Sequence, residues 1–146
     1  MKIMLFFFLD FFLSLNLLAQ NLFEDKESIY YAAVSQFVES FPENSTLLLE
    51  RSLFTTNNLP KNIKGRKIKL ITMNEMAKQY KKDKQLIDIY RIVPLFFEDN
   101  IFYINIVNFS VSYKKRNFYF ANKEGGGARY KYKYDCSDND LVLMKD

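Results

Sequence analysis

The spacing of apolar residues changes once along this chain. Between Ser28 and Phe41 they recur every four positions, as on the buried face of a helix, and Pro42 is expected to end that helix. From Gln85 onward apolar and polar residues mostly alternate, which is the period of a strand with one buried face. A helix followed by consecutive strands indicates an α+β fold, with one long N-terminal helix packed on a curved, mostly antiparallel sheet.

Shorter elements are predicted between these two regions. Residues 45–54 and 67–71 have the composition of strands, and a polar loop separates them. Thr72 and Glu75 fit the capping box that begins a helix. We therefore expect one short inserted helix, through about Lys82.

The C-terminal part of the chain is expected to form an antiparallel meander. The predicted strands are residues 86–93, 101–113, 117–121, 128–136 and 141–144. Pro94 is expected to end the first of them, because proline has no backbone N–H to donate. Gly125–Gly127 is expected to form a hairpin turn, because glycine accepts the positive φ angles that tight turns need.

The strand over residues 101–113 changes its apolar face along its length. Ile104 and Ile106 begin one apolar face, which continues with the polar Asn108. The opposite face is apolar from Phe109 onward. Such a change is typical of a bent or bulged strand, so we expect a bend between Ile106 and Asn108.

The N-terminus resembles a secretory signal peptide. Lys2 precedes an apolar run, and Leu18–Gln20 resembles a cleavage site with small residues. A membrane anchor is the alternative, but the apolar run is short for a span and contains Asp10. We therefore expect residues 1–20 to be a signal peptide that is cleaved near Gln20.

After cleavage, residues 21–146 are expected to form a single α+β domain, exported to the periplasm or secreted, without a transmembrane span. The net charge of +4 is too small an excess to indicate a nucleic-acid surface. The chain has a single cysteine, Cys136, which cannot form an internal disulfide. We expect Cys136 to be buried, with pairing between chains as the alternative, and the sequence leaves the oligomeric state open.

The residue types exclude several classes of chemistry. Histidine is absent, so neither a histidine-activated nucleophile nor an imidazole metal ligand is available. Gly125–Gly127 fits neither a dinucleotide fingerprint nor a Walker pattern, so no cofactor is expected. Asp135, Asp138 and Asp140 lack the register of a calcium loop, so no metal site is expected either.

Asp88 and Tyr90 are candidates for acid–base chemistry. They share a strand face with Leu86 and Ile92, where a half-buried Asp88 could have a raised pKa. A polar strand face that meets solvent near a sheet edge is the simpler interpretation, and we prefer it.

Residues 128–136, ARYKYKYDC, combine tyrosines with cations. In a strand the tyrosines share one face and the cations share the other. The two sets are Tyr130, Tyr132 and Tyr134, and Arg129, Lys131 and Lys133. A sheet that stacks bases needs rings and cations on the same side, so we expect these tyrosines to face the helix and the cations to face water. Binding of a polyanion by the cations is the alternative.

The order of elements over about residues 23–145, a helix and then a long antiparallel sheet, resembles the cystatin-like and NTF2-like proteins. The motifs FSVSYKK, GGG and YKYKYDC also resemble small exported bacterial proteins of unassigned activity. NTF2-like proteins include isomerases, dehydratases and binding modules, so the resemblance implies a pocket more than a reaction. Their acid–base members use Asp, Tyr or His in the concave face of the sheet, and this chain has no His.

These observations favour a non-enzymatic exported module that binds a partner protein or a small apolar ligand between helix and sheet. Nucleic acid is disfavoured as a partner. Two alternatives stay open. One is an NTF2-like acid–base enzyme that uses Asp88 and Tyr90, and the other is an electrostatic binder of polyanionic surfaces through Lys131 and Lys133.

Overall fold

The computed structural model describes residues 28–138 and 140–144. Within these ranges two α-helices and eight strands form an α+β fold around one sheet. The predicted signal peptide, residues 1–20, lies outside the described residues.

The first described helix, α1, is Ile29–Phe37, and a 3-10 turn, Val38–Ser40, continues it. Ser28 caps its beginning, because the hydroxyl oxygen of Ser28 accepts a hydrogen bond from the N–H of Tyr31 at 3.1 Å. The helical conformation stops before Pro42, as predicted. The prediction of one long N-terminal helix is wrong, since α1 has only 9 residues.

The second helix, α2, is Met73–Asp83, and with 11 residues it is the longer of the two. The predicted capping box is confirmed: Oγ1 of Thr72 accepts the N–H of Glu75, and Oε2 of Glu75 accepts the N–H of Thr72 at 2.8 Å. Lys84 ends the helix in the left-handed conformation and donates its N–H to the C=O of Tyr80.

The eight strands form one mixed sheet. They are β1 (Thr46–Glu50), β2 (Asn62–Ile63), β3 (Arg66–Ile71), β4 (Ile87–Glu98), β5 (Ile101–Lys114), β6 (Asn117–Asn122), β7 (Ala128–Asp135) and β8 (Asp140–Leu143). Their order is β2-β3-β1-β4-β5-β7-β8, and β6 also pairs with β5. β1 runs parallel to β3 and to β4. Residues 51–61 and β2 return the chain between β1 and β3, and α2 returns it between β3 and β4. The sheet does not curl round one helix, so the predicted curvature is wrong. Five of the seven pairings among the described strands are antiparallel, so the sheet is mixed but mostly antiparallel, as predicted.

Strands β6 and β7 do not pair with each other. Both lie along the same edge of β5, β6 beside its C-terminal half and β7 beside its N-terminal half. Gly125–Gly127 therefore joins two strands on one edge and is not the predicted hairpin turn. A Cβ on Gly127 would lie 2.5 Å from the backbone oxygen of Ile106, and one on Gly126 would lie 2.5 Å from Nδ2 of Asn108. Glycine is needed because the loop approaches β5 this closely.

Strand β4 continues through Pro94, contrary to the prediction that Pro94 ends it. The register between β4 and β5 shifts between Val93 and Phe96, so Pro94 lies in a bulge, where the missing N–H is tolerated. The register with β4 is continuous across residues 106–108 of β5, so no bulge lies there, and the register shift lies opposite Val93–Phe96 instead.

Two cores on opposite faces of the sheet explain the change of apolar face along β5. The first core, beneath α1, includes Ala33, Val34, Phe37, Val38, Leu47, Leu49, Ile92, Ile104, Ile106 and Tyr132. The second core, beneath α2, consists of Ile71, Met76, Ile87, Ile89 and Val111. Ile106 and Val111 point to opposite faces of β5, because they are an odd number of residues apart. Helix α1 therefore covers the N-terminal half of β5 on one face of the sheet, and α2 covers its C-terminal half on the other face.

Candidate functional site

Asp88 and Tyr90 lie on one face of β4, as predicted, but Asp88 is held in its ionised form. Its carboxylate accepts hydrogen bonds from Oγ of Ser110 at 2.5 Å and from Nζ of Lys123 at 2.7 Å. The hydrogen bond from Lys123 is the main cause that lowers the pKa of Asp88, and the one from Ser110 lowers it further. The alternative of a half-buried Asp88 with a raised pKa is therefore contradicted, whereas the preferred interpretation of a polar side chain that meets solvent agrees with the exposure of Asp88.

Tyr90 belongs to the packing beneath α1. Its ring makes edge contacts with the rings of Phe37 and Phe41, at centroid distances of 5.1 and 5.6 Å. Burial is the main cause that raises the pKa of the Tyr90 hydroxyl. General base catalysis near neutral pH favours a carboxylate with a raised pKa. Asp88 and Tyr90 do not supply one, because the pKa of Asp88 is lowered.

Strand β7 places its tyrosines and cations on opposite faces, as predicted, but Tyr134 is 44% exposed and Lys131 is half-buried, so the predicted division into a buried and a solvent-facing set is confirmed only in part. Tyr132 lies in the first core and is 2% exposed, whereas Lys133 is exposed on the other face. Burial raises the pKa of Tyr132 to about 12. Its hydroxyl has no hydrogen-bond partner within the described part of the chain.

The cations of β7 share their face with aromatic rings from neighbouring strands. The guanidinium of Arg129 lies 4.1 Å from the ring centroid of Tyr103 and 5.6 Å from that of Phe96. Arg129 also forms an ion pair with Glu98 at 3.4 Å. The register of β5 and β7 pairs Tyr103 with Lys131. Rings and cations therefore meet on one side of the sheet, which alternation within β7 alone did not indicate.

The turn after β7 is a polar surface turn. Cys136 is exposed there, contrary to the predicted burial, because it lies beyond the last paired residue of the strand. Asp135 accepts the N–H of Ser137 at 2.8 Å, and this hydrogen bond is the main cause that lowers its pKa. Asp140 accepts the N–H of Leu141 at 2.7 Å. Among the described residues, no group of three or more Cys, Asp or Glu side chains could hold a metal ion.

A groove of about 720 Å³ lies at the β3 side of the sheet. We call it the basic groove, because the charged side chains that line it are all cations. Its lining consists of Arg51, Lys61, Lys67 and Lys69, the apolar Leu59, Ile68 and Leu70, and the uncharged polar Thr46, Asn57 and Asn62. The ion pairs formed among the described residues involve other cations, namely Lys64, Arg91, Lys123 and Arg129.

The charge of the basic groove extends to the beginning of α2. Glu75, which belongs to the capping box of α2, is an acid on which cations of the groove act. Hydrogen bonding to Thr72 is the main cause that lowers the pKa of Glu75, and the positive charges of Arg51 and Lys69 lower it further. The carboxylate of Glu75 is thus hydrogen-bonded to the helix terminus and forms no ion pair with Arg51 or Lys69 among the described residues.

The basic groove follows the edge of β3 that faces away from β1. Strand β2 covers only the beginning of this edge, where Asn62 pairs with Lys67 and Ile63 pairs with Arg66. Residues 69–71 have no partner strand on this side among the described residues. Within the described part of the chain, this stretch of β3 is therefore an open edge of the sheet.

The backbone groups of Leu70 point toward this open edge. The N–H of Lys67 and the C=O of Ile71 form hydrogen bonds on the β1 side. The N–H of Ile68 instead donates to the C=O of Lys61, on the β2 side, at 2.8 Å. The backbone N–H and C=O groups of successive residues point to opposite edges of a strand. Those of Leu70 therefore point to the same edge as those of Ile68, the β2 side. An extended chain lying in the groove could pair with them.

Comparisons with protein-family models, with curated proteins and with solved structures found no match for this chain. The resemblance to cystatin-like and NTF2-like proteins therefore stays a prediction from the order of elements. Of the helices in the described ranges, neither has the length and apolar character to cross a bilayer.

The basic groove was not predicted from the sequence, because residues 55–66 have the composition of a polar loop. A signal was present in residues 61–70, KNIKGRKIKL, where cations are interspersed with Ile63, Ile68 and Leu70. Such a pattern is typical of a strand with one basic and one apolar face at a sheet edge.

Proposed function

We propose that this protein is a non-enzymatic binding module that binds an extended acidic segment of a partner protein at the open edge of β3. The observation that carries the proposal is that the basic groove combines an open strand edge with a cationic lining. Backbone groups of Leu70 face an edge with no described partner strand, and the charged residues lining that edge are all cations.

A bound segment would continue the sheet as a further strand. Hydrogen bonds to the backbone of Leu70 would supply affinity whatever the side chains of the segment. The two faces of β3 would supply specificity, because Lys67 and Lys69 lie on one face whereas Ile68 and Leu70 lie on the other. We therefore expect a segment in which acidic and apolar residues alternate.

The packing between α1 and the sheet favours this outer groove over a ligand site beneath the helix. Ala33, Val34, Val38 and Ile104 are each 0% exposed and belong to one packed core. A small apolar ligand there would have to displace core side chains, whereas the basic groove is accessible from solvent.

The test compares three synthetic peptides by isothermal titration calorimetry. The first alternates Glu with Val, the second replaces each Glu by Lys, and the third is the Glu peptide with N-methyl groups on alternate backbone amides. We expect only the first to bind well, with an affinity that falls as salt increases. Equal binding of the Glu and Lys peptides would contradict the proposal.

Matched variants locate the binding. The double change Lys67→Ser and Lys69→Ser is expected to weaken binding of the Glu peptide about tenfold or more, because two cations of the groove are lost. Lys78→Ser with Lys82→Ser is the control, since these lysines are exposed on α2 and do not line the groove. Equal effects of the two double variants would contradict binding at β3.

We further propose that the protein is exported. The support is the arrangement at the N-terminus, where Lys2, an apolar run and Leu18–Gln20 follow the order of a signal peptide. Intact-mass measurement of the protein recovered from expressing cells tests this. A mature protein that retains Met1–Gln20 would contradict export by cleavage.

A second candidate function is the binding of a polyanion through Arg129, Lys131 and Lys133. It is favoured by the aromatic rings of Phe96 and Tyr103, which lie on the same face as these cations. Retention on a heparin column at moderate salt, lost in Lys131→Ser with Lys133→Ser, would support it. A wild-type protein that elutes at low salt would exclude it.

A further inference from the structure

The loop after β1 displays two large apolar side chains to solvent. Leu53 is 80% exposed and Phe54 is 82% exposed. The next two residues, Thr55 and Thr56, are buried at 3% and 1% exposure. The chain therefore turns inward directly after the two exposed apolar residues. We call this pair the apolar tip.

Hydrogen bonds on the inner side of the loop fix its conformation. Oγ1 of Thr56 accepts the N–H of Ser52 at 2.7 Å and lies 3.2 Å from the C=O of Glu50. Oγ of Ser52 accepts the N–H of Phe54 at 3.3 Å. Two hydroxyl groups thus bond the backbone of a tight turn, an arrangement that holds a loop in one conformation. The exposure of the apolar tip is a consequence of this turn.

A second groove, of about 340 Å³, lies beside the apolar tip. We call it the apolar-tip groove. The first residues of α1 and its Ser28 cap form one wall, and the loop with Leu53 and Phe54 forms the other. Asn57 and Leu59 line both this groove and the basic groove. The two grooves therefore adjoin, and a chain that leaves the open edge of β3 past Leu59 enters the second groove.

We propose that the apolar-tip groove is the second half of the same binding site, and that the partner segment carries a large apolar residue directly beyond its acidic stretch. This inference rests on the proposed function. Large exposed apolar residues beside a groove are typical of protein interaction sites, because burying them against a partner removes apolar surface from water. An aromatic ring of the partner would lie against Phe54, Leu53 and Ile29.

A peptide partner fits this site better than a lipid surface. The apolar tip adjoins a groove that offers the backbone groups of Leu70, which a peptide can pair with and a bilayer cannot. The side chains that line the two grooves also differ in charge. They are uncharged around Phe54 in the apolar-tip groove and include Lys69 in the basic groove, and Asn57 lines both. An extended segment with an aromatic end and an acidic remainder matches both parts.

The test uses two peptides that differ at one end. Both peptides alternate Glu with Val, and one carries a terminal Phe where the other carries a terminal Ser. The comparison is made once with this residue at the N-terminus and once with it at the C-terminus. For the wild type we expect the Phe end to tighten binding about tenfold, the scale of one large side chain buried at an interface. For Leu53→Ser with Phe54→Ser we expect no such gain, with the Ser-ended peptide bound as by the wild type. Leu86→Ser, which changes another exposed apolar residue, is the matched control.

The outcomes separate the two proposals. If no acidic peptide binds, both the proposed function and this inference fail. If the acidic peptides bind but the Phe end adds nothing, or adds as much in the Leu53/Phe54 double variant, only this inference fails. Wild-type binding to phosphatidylglycerol vesicles that the double variant loses, without a gain from the Phe end, would assign the apolar tip to a membrane surface and overturn the inference. A dimer lost in the double variant by analytical ultracentrifugation would likewise assign the apolar tip to a second copy of the chain.

Discussion

The backbone N–H of Leu95 donates a hydrogen bond to the hydroxyl oxygen of Tyr30 at 3.1 Å. Leu95 directly follows Pro94 within the bulge of β4, where the register with β5 shifts. The helix α1 therefore supplies an acceptor at the point where the ladder between the two strands is interrupted. This contact joins the helix to the irregular part of the sheet.

Tyr30→Phe is expected to lower the free energy of unfolding by about 1 to 2 kcal/mol, because the N–H of Leu95 loses its acceptor. Tyr31→Phe is the matched control, and we expect it to change stability by less than about 0.5 kcal/mol. Urea denaturation of the three proteins measures both. Equal losses in the two variants would show that the hydroxyl of Tyr30 has no special role.

Tyr132→Phe is expected to leave the free energy of unfolding unchanged or to raise it by about 1 kcal/mol, because a buried hydroxyl without a described partner is removed. Tyr132→Ala is expected to lower it by about 3 to 5 kcal/mol, because an aromatic ring is removed from the first core. Chemical denaturation compares the two. A clear loss for Tyr132→Phe would contradict the absence of a hydrogen bond at this hydroxyl.

Stability is expected to fall at alkaline pH because of Tyr130 and Tyr132. Burial raises the pKa of each from 10.0 to about 12. The unfolded chain therefore releases these protons near pH 10, whereas the folded protein keeps them until about pH 12. The folded state binds more protons in this window, so the stabilisation is complete below about pH 10 and is lost as the pH rises to about 12.

Urea denaturation between about pH 8 and pH 11 checks this alkaline loss. We expect a shallower decline in Tyr130→Phe with Tyr132→Phe than in the wild type, because phenylalanine does not titrate. Identical slopes for the two proteins would contradict the raised pKa values.

Gly127→Ala is expected to lower the free energy of unfolding by about 2 to 4 kcal/mol, because the new Cβ would meet a backbone oxygen that cannot rotate away. Gly125→Ala is the comparison. Its Cβ would have nothing within 4 Å, but its φ of +76° strains alanine, so we expect a loss of about 1 kcal/mol. Chemical denaturation ranks the variants. The reverse order would mean that the loop does not approach β5 closely.

Lys123→Ala is expected to raise the pKa of Asp88 toward its ordinary value, because the hydrogen bond from Lys123 is the main cause that lowers it. Ser110→Ala is expected to raise it less. Titration of the Asp88 carboxyl carbon by NMR measures both shifts. An unchanged pKa in Lys123→Ala would show that the ion pair does not form in solution.

Features that depend on residues close together in the chain were predictable from the sequence. The capping box of Thr72 and Glu75 needs only the geometry of one helical turn. The opposite directions of Tyr132 and Lys133 need only the alternation of an extended backbone. The extent of β5 was predicted to within one residue for the same reason.

Features that depend on distant segments were not predictable in this way. Cys136 follows a strand-like pattern, yet it is exposed, because no segment of the described chain covers the turn after β7. Tyr103 meets Arg129 only through the register of β5 with β7. Leu70 faces an open edge only because β2 is two residues long.

The sequence by itself determined which side chains share a face, since the direction of a side chain is set by the conformation of its own backbone. Only the tertiary structure decided which face each helix covers, which strands become neighbours and which edge stays open. The apolar residues of β5 illustrate the difference, because α1 covers Ile106 on one face and α2 covers Val111 on the other. Burial and strand pairing are contacts between segments far apart in the chain, and a local pattern of alternation is compatible with several such arrangements.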